Sequence, residues 1–437
     1  MTFDWSYDLL DEGAQRLLGR LGVFAGGWTL ASAEAVCEAE LDDLGALVDE
    51  SLVAQHETVD GEARFSMLEI VREYALERLS SSDELDDLRR RHLDHFVALA
   101  EEAEPELAEG DQITWFARLE DEHHNLREAL AFALELGDSA SALRLVVGIR
   151  RFWQIHGHLA EGRDALDAAL ALAPDSPSEL RAKALNMAGI LAGEQGEFDS
   201  AQLSFNAALD DAHAVGSTRV ISSALVNLGN LAFFRGDHDA ARDLYKSSIE
   251  HFESLGDLRG RALAMENVGL MALTADDLPE AVTWLTGALE LARTGADDRE
   301  LGAAGRSLAA AMIGIGQTAE ATDLLQESLL IARELGDAHG IAVCLETFAG
   351  LAATGAEPTR AATLFGASDA VRGSIGAQRQ PDTQILYERW LARTLADLDT
   401  MSYAKHYEDG RVLTLDAACR LALRDEAVRT TPFAVDR

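Results

Sequence analysis

Residues 217–256 read STRVISSALVNLGNLAFFRGDHDAARDLYKSSIEHFESLG, and residues 257–296 read DLRGRALAMENVGLMALTADDLPEAVTWLTGALELARTGA. Aligned, the two forty-residue lines match Gly229 with Gly269, Ala241 with Ala281 and Tyr245 with Leu285. The register extends outward. Ala201, Ala241, Ala281, Ala321 and Ala361 share it, and twelve residues before these alanines stand Gly189, Gly229, Gly269 and Ala309. Gly196, Gly236 and Gly316 form a third column with Asp276 in its remaining slot. Gly216, Gly256 and Gly336 form a fourth with Ala296 in its slot. In an alanine-rich chain one column would carry little weight. Four columns in one phase specify a repeat array, whose units bury their core by stacking on neighbours.

Each unit reads as two helices. Helix A carries the small residue of the Gly229 column, and helix B starts near Phe198, His238, Leu278 and Thr318 with the column alanine three residues on. Small residues at these sites let the two helices approach closely, since bulk would push their axes apart. Four residues after the alanine comes an aromatic or leucine: Phe205, Tyr245, Leu285, Leu325 and Phe365. This is tetratricopeptide logic on a longer period than the usual thirty-four, without that repeat's tryptophan or terminal proline. HEAT-type repeats share the period, but the Gly/Ala pattern favours tetratricopeptide. The helical apolar period excludes a propeller blade.

The N-terminal part differs. A helix is expected from about Asp4 to Leu21, then one capped by Thr29 through Cys37, then a third over Leu41–Asp49. Residues 52–56 and 63–67 read as short strands, with Asp60-Gly61 as their turn, and Leu68–Leu79 as a closing helix. That order makes a winged helix. Helices resume from 85 to 136, and 139–172 reads as a helix pair turning at Gly157-His158-Leu159. The expected fold is therefore all-α: an N-terminal winged-helix domain with a small β-hairpin (1–80), helical linker and atypical first repeats (81–177), five tetratricopeptide-like repeats (178–377) and C-terminal capping helices (378–437). The last section comprises a helix from Thr383 to about Leu398 and another from Thr414 to Leu423, with Thr430 onward frayed.

The formal net charge is −39, from 76 acidic and 37 basic residues, and only Lys183, Lys246 and Lys405 are lysines. Such a surface repels phosphate backbones and anionic lipid headgroups. The third helix of the winged-helix segment would enter a major groove if it bound DNA. It reads LDDLGALVDE (41–50), with four acidic residues and no basic one, and residues 1–80 hold 17 acidic side chains against 5 arginines. No direct nucleic-acid binding is expected. No lysine follows a glycine, so no P-loop is present, and neither HExxH, GxSxG nor a dinucleotide-binding glycine fingerprint occurs. His92/His95, His123/His124 and His156/His158 have spacings a metal could use, but nothing in the sequence supplies the remaining ligands. No enzyme activity, cofactor or metal is expected. The N-terminus has no signal-peptide pattern, no stretch has the apolar length of a membrane span, and the three cysteines are far apart. A cytoplasmic protein with free thiols is expected. Nothing in the pattern sets an oligomeric state.

Several tracts resemble a known family. FDWSYDLLDEGAQRLLGRLGVFAGGWTLASAEAVC (3–37), LVDESLV (47–53) and MLEIVREYALERL (67–79) are similar to the segment after the nucleotide-binding domain of actinobacterial STAND-type regulators, the AfsR-like and LuxR-like proteins with an NB-ARC ATPase. TWFARLEDEHHNLREALAFAL (114–134), RFWQIHGHLAEGR (151–163), AATLFGASDAVRGSIG (361–376), YERW (387–390) and DGRVLTLDAACRLAL (409–423) extend the resemblance over nearly the whole chain. In that family the ATPase would precede residue 1 and a LuxR-type DNA-binding domain would follow the tail. Neither is in this sequence, so ATP hydrolysis and promoter binding do not carry over. The chain reads as a truncated relative or as one with a misplaced start. The resemblance implies a winged-helix arm and a repeat sensor that holds the ATPase inactive until an inducer or partner binds.

In tetratricopeptide arrays the A helices line the inner wall, at positions three before, one after and five after the small residue. In this register those positions give Asn186, Asn230, Phe234, Glu266 and Arg306, with Glu346 next in phase. They are the candidate concave-face residues, expected to be polar groove rather than core. Arg306 and Glu266 would fix orientation and Phe234 would supply apolar contact. The expected role is a non-enzymatic scaffold that binds a protein, peptide or small inducer. The alternative is a regulator subunit acting with a separately encoded ATPase or DNA-binding partner.

Overall fold

The computed structural model describes residues 7, 9–57, 63–109, 111–156, 158–295 and 298–424. Contacts divide the chain into two units, one of Met1–Phe152 with Ala160–Ser176, the other of Trp153–Leu159 with Pro177–Arg437.

The first unit begins with α1 (Glu12–Leu21). It starts later than the apolar pattern suggests because Asp11 is its N-cap, accepting from the Ala14 amide at 2.9 Å. Residues 1–6 and 8 lie outside the described residues. Strand β1 (Gly27–Thr29) follows, then α2 (Leu30–Cys37), capped by Thr29 as expected, and α3 (Leu41–Asp49). Strands β2 (Ala54–Glu57) and β3 (Ala63–Ser66) precede α4 (Glu69–Ser80). The expected Asp60-Gly61 turn lies outside the described residues. The sheet has the order β1-β3-β2, all antiparallel. The expected hairpin is thus part of a three-stranded sheet, the winged-helix arrangement. Its first strand is anchored by Trp28, which is fully buried and stacks on Phe24 with centroids 5.5 Å apart.

Helices α5 (Leu85–Glu109), α6 (Gln112–Asp121), α7 (His123–Leu136) and α8 (Ser139–Gly148) continue this unit. Two buried residues bind them to the sheet. Arg64 of β3 pairs with Glu122 at 2.5 Å, and the Asn125 amide donates to Gly27 O at 2.7 Å and to Glu122 at 2.6 Å. The expected helix pair over 139–172 is three helices, with α9 (Arg150–Ile155) and α10 (Leu159–Leu172) following a break after Gly148. The Gly157 of the expected turn lies outside the described residues.

The second unit contains five A/B helix pairs: α11 (Glu179–Glu194) with α12 (Phe198–Val215), α13 (Thr218–Phe234) with α14 (His238–Leu255), α15 (Leu258–Thr274) with α16 (Leu278–Thr294), α17 (Asp298–Gly314) with α18 (Thr318–Glu334), and α19 (Ala338–Thr354) with α20 (Pro358–Ile375). The five column alanines are fully buried. The column glycines are equally tight. A Cβ on Gly189, Gly229 or Gly269 would stand 2.5, 2.6 and 2.5 Å from Phe205, Tyr245 and Leu285, so the small residue of helix A seats the large residue of helix B. Between the helices of a pair, Gly196, Gly236 and Gly316 take φ +81, and Asp276 takes φ 66 in the same slot. Among the described residues no strand lies beyond Ser66, and no helix is long and apolar enough to cross a membrane.

Three helices follow: α21 (Pro381–Asp397), α22 (Thr400–Arg411), which the sequence reading left out, and α23 (Leu415–Leu423), capped by Thr414. Asp399 caps α22 by accepting from the Met401 and Ser402 amides, both at 3.0 Å. It packs on α20 through facing Gly366 and Gly410, where neither site has space for a Cβ. The expected frayed tail from Thr430 lies outside the described residues.

Candidate ligand site on the inner face of the repeats

Within the second unit, consecutive A helices touch one another, from α11 through α19, and consecutive B helices stay further apart. The A helices therefore form the inner wall. Helix α21, read from sequence as part of a cap, packs on that wall against α15 and α19. Trp390 lies on Gly350, one residue past the small position of α19, where a Cβ would collide with its ring. Arg389 donates to Leu273 O at 3.4 Å and Thr274 O at 3.2 Å, and Arg393 donates to Ala353 O at 3.1 Å. These carbonyls lie in the last turns of α15 and α19, and Leu273 O also accepts from the Asp276 amide at 3.2 Å, so α21 adds donors at the C-terminal ends of these A helices.

A cavity of about 160 Å³ remains between α21 and the wall. Three of the sequence-selected residues line it: Glu266, Arg306 and Glu346. They come from equivalent positions of α15, α17 and α19. Ser307, His339 and Asp382 add polar groups, and Leu270, Val343, Leu386 and Trp390 add apolar surface.

These groups have different electrostatic states. Glu346 is 0% exposed. It accepts from Arg372 Nε at 2.8 Å, Arg379 Nε at 2.9 Å and Ser368 Oγ at 2.9 Å. The expectation that polar groups at this register stay out of the core is corrected here, because Arg372 and Arg379 make burial of this carboxylate tolerable. Glu266 is 7% exposed and, among the described residues, accepts only from Ser307 Oγ, at 2.6 Å. Burial pushes its pKa up to about 7, against the opposing pull of Arg306. Burial also raises Asp382, although the Thr383 amide donates to it at 2.8 Å. Burial and then Arg372 hold His339 below its ordinary value, so it is neutral near pH 7. Arg306 makes no hydrogen bond or ion pair among the described residues.

The other three candidates lie elsewhere on the inner wall. Asn186 accepts from Asn227 at 3.0 Å, which links α11 to α13. Asn230 accepts from the Tyr245 hydroxyl at 2.7 Å. Phe234 is half-buried, 5.8 Å from the Phe198 ring and 5.7 Å from Phe233. A second hollow of about 110 Å³ is lined by Gln154, Glu194, Arg299, Asp337 and Gln378. Glu194, also pushed by burial to about 7, accepts from Gln154 at 2.7 Å. It stands five residues after Gly189, a position the register marks but the sequence reading did not name. His339 and Asp382 had no such signal.

Comparison with known proteins matches two segments of the chain to two families. The winged helix-turn-helix domain family matches residues 10–80, and the tetratricopeptide repeat family matches residues 220–294. Both are regulatory domain types. The chain is 40% identical over 168 residues to "Putative HTH-type transcriptional regulator Rv0890c" of Mycobacterium tuberculosis, and equally to its Mycobacterium bovis counterpart. That match covers 37% of this chain and 19% of the relative, so the chain spans about a fifth of the regulator it resembles. Among solved structures, a STAND protein with a tetratricopeptide repeat sensor from Pyrococcus horikoshii aligns at 14% identity and TM-score 0.48, covering 93% of this chain and 64% of that one. A Rap protein complexed with competence and sporulation factor aligns at 14% identity and TM-score 0.49, covering 77% and 93%.

Proposed function

We propose that this chain is a non-enzymatic sensor scaffold from the regulatory part of a transcription regulator of the AfsR-like and LuxR-like STAND type. It binds a protein, peptide or small inducer on the inner face of its repeats. The observation that carries this reading is the inner-face cavity, where Arg306 makes no hydrogen bond or ion pair among the described residues and the buried Glu266 accepts from the Ser307 hydroxyl. A carboxylate buried with few donors is costly unless something else satisfies it. The working divisions are a winged helix over 1–80, a linker over 81–177, repeats over 178–377 and a C-terminal section over 378–437. In a cytoplasmic setting the three cysteines, all buried and free, remain thiols.

The winged helix serves as a protein-facing arm in this reading. The exposed face of α3 carries Asp42, Asp49 and Glu50, which would repel a phosphate backbone. A second reading, a regulator subunit or remnant acting with a separately encoded ATPase or DNA-binding partner, is favoured by the 40% identity over 168 residues to a longer regulator, of which that match covers 19%. An ATPase reading frame beside the gene would support it. The test of the scaffold is a pull-down from source cytosol. The double variant Arg306→Ala, Phe234→Ala should keep its helical circular dichroism and lose the captured partner. Full retention of that partner would shift the binding face to the winged helix or the outer surface.

A further inference from the structure

We infer that the cavity between α21 and the A helices α15, α17 and α19 is a site for a free aliphatic α-amino acid, its carboxylate on Arg306 and its ammonium on Glu266 and Asp382. The inference rests on the sensor reading and names the ligand class for the same face.

The charge pattern carries the argument. Glu346 is already matched by Arg372 and Arg379, and His339 is neutral near pH 7. That leaves one guanidinium, Arg306, and two carboxylates, Glu266 and Asp382. Among the described residues they make no hydrogen bond to one another, although Arg306 pulls on Glu266 through space: Glu266 takes the Ser307 hydroxyl, Asp382 takes the Thr383 amide, and Arg306 makes no hydrogen bond. A guanidinium fork matches a carboxylate in two hydrogen bonds. Two under-partnered carboxylates match an ammonium, which offers three donors. A zwitterion supplies both. Leu270, Val343, Leu386 and Trp390 give the rest of the ligand an apolar wall. At 10–15 Å³ per water-sized site the cavity holds on the order of ten waters. A molecule of about ten heavy atoms, the size of leucine, fills it.

Isothermal titration of the full chain tests this with leucine, isoleucine, valine and methionine. Isoamylamine (leucine without its carboxylate) and isocaproate (leucine without its amine) are the matched controls. At least one amino acid should bind saturably, with both controls at least about tenfold weaker. Arg306→Ala should weaken the amino acid about tenfold and leave isoamylamine unchanged. Glu266→Gln should weaken amino acid and amine but not isocaproate. Affinity should also fall as pH drops below about 7, where Glu266 takes up a proton, and should fall less steeply in Glu266→Gln, where Asp382, itself raised by burial, is the remaining carboxylate on the ammonium. If Arg306→Ala loses helical content, Arg306→Gln replaces it under the same criteria. Absence of saturable heat from all four amino acids at millimolar concentration overturns the inference, as does unchanged binding by a folded Arg306 variant. If these titrations fail while the Arg306→Ala, Phe234→Ala pull-down still loses its partner, the scaffold reading stands and only the ligand class falls.

Discussion

Replacing Glu266 by glutamine should make the protein more stable, and the gain should depend on pH in a direction that can be worked out. Folding raises this carboxyl from an ordinary 4.5 to about 7, chiefly by burial. The shift is about 2.5 units, and at 1.36 kcal/mol per unit it corresponds to roughly 3 kcal/mol. Between pH 4.5 and 7 the folded state holds a proton on Glu266 that the unfolded state has released. Stability therefore falls as pH rises through this window, and the cost is complete above pH 7. Glutamine can still accept from Ser307 Oγ and has no charge to desolvate. Urea unfolding followed by circular dichroism, for both proteins at about pH 5 and about pH 8, isolates the effect. Glu194 and Asp382 also tilt the pH profile, but they do so in both proteins and cancel in the difference. The advantage of the variant should be small at the lower pH and grow by about 3 kcal/mol at the higher one. An advantage that stays constant between the two pH values refutes the assignment of a desolvated Glu266.

Other outcomes follow from packing and charge. Within α11, Gly189→Leu should destabilise by about 1–3 kcal/mol because the Phe205 ring fills its space, whereas Gly193→Ala, with no atom within 4 Å, should stabilise by about 0.5–1 kcal/mol. Melting temperatures of the two variants should move in opposite directions. Arg372→Ala leaves Glu346 buried with Arg379 and Ser368 and should cost about 3 kcal/mol in urea unfolding, the low end for breaking a buried pair. Duplex DNA should show no salt-sensitive gel shift with the full chain, and ATP should leave its melting temperature unchanged; sub-micromolar binding of either would contradict the charge argument.

The repeat fold was legible because its information is local. Gly229 and Tyr245 are sixteen residues apart in sequence and meet closely, as do Gly189 with Phe205 and Gly269 with Leu285 in the neighbouring units. Asp276 in a glycine column looked like an exception, yet it takes the same left-handed backbone as Gly236, a conformation Asp tolerates better than most residues. Strand β1 was not legible. Three residues are too few to show alternation, and Trp28 reads equally well as helix or loop until β3 is placed beside it. Helix α22 escaped because its apolar face is weak and its packing depends on two glycines, Gly366 and Gly410, that meet only in the folded chain.

The site divides along the same line. The register of the small residues selected Glu266, Arg306 and Glu346 from three successive helices, because equivalent positions in a solenoid face the same side. What those residues do there depends on α21, and α21 is placed by long-range contacts. Arg389 reaches Leu273 across 116 residues of sequence, and Arg379 reaches Glu346 from the loop before α21. No periodicity encodes those meetings. With Arg372 and Arg379 present, Glu346 is a buried structural ion pair; Glu266, beyond the reach of Arg379, makes no ion pair among the described residues and feels Arg306 only through space. Two glutamates that the sequence presents as equivalent thus acquire opposite roles from one returning helix. A ligand that binds Arg306 and Glu266 would also touch Asp382 of α21, so the helix that separates the two glutamates is also the element such a ligand would hold in place.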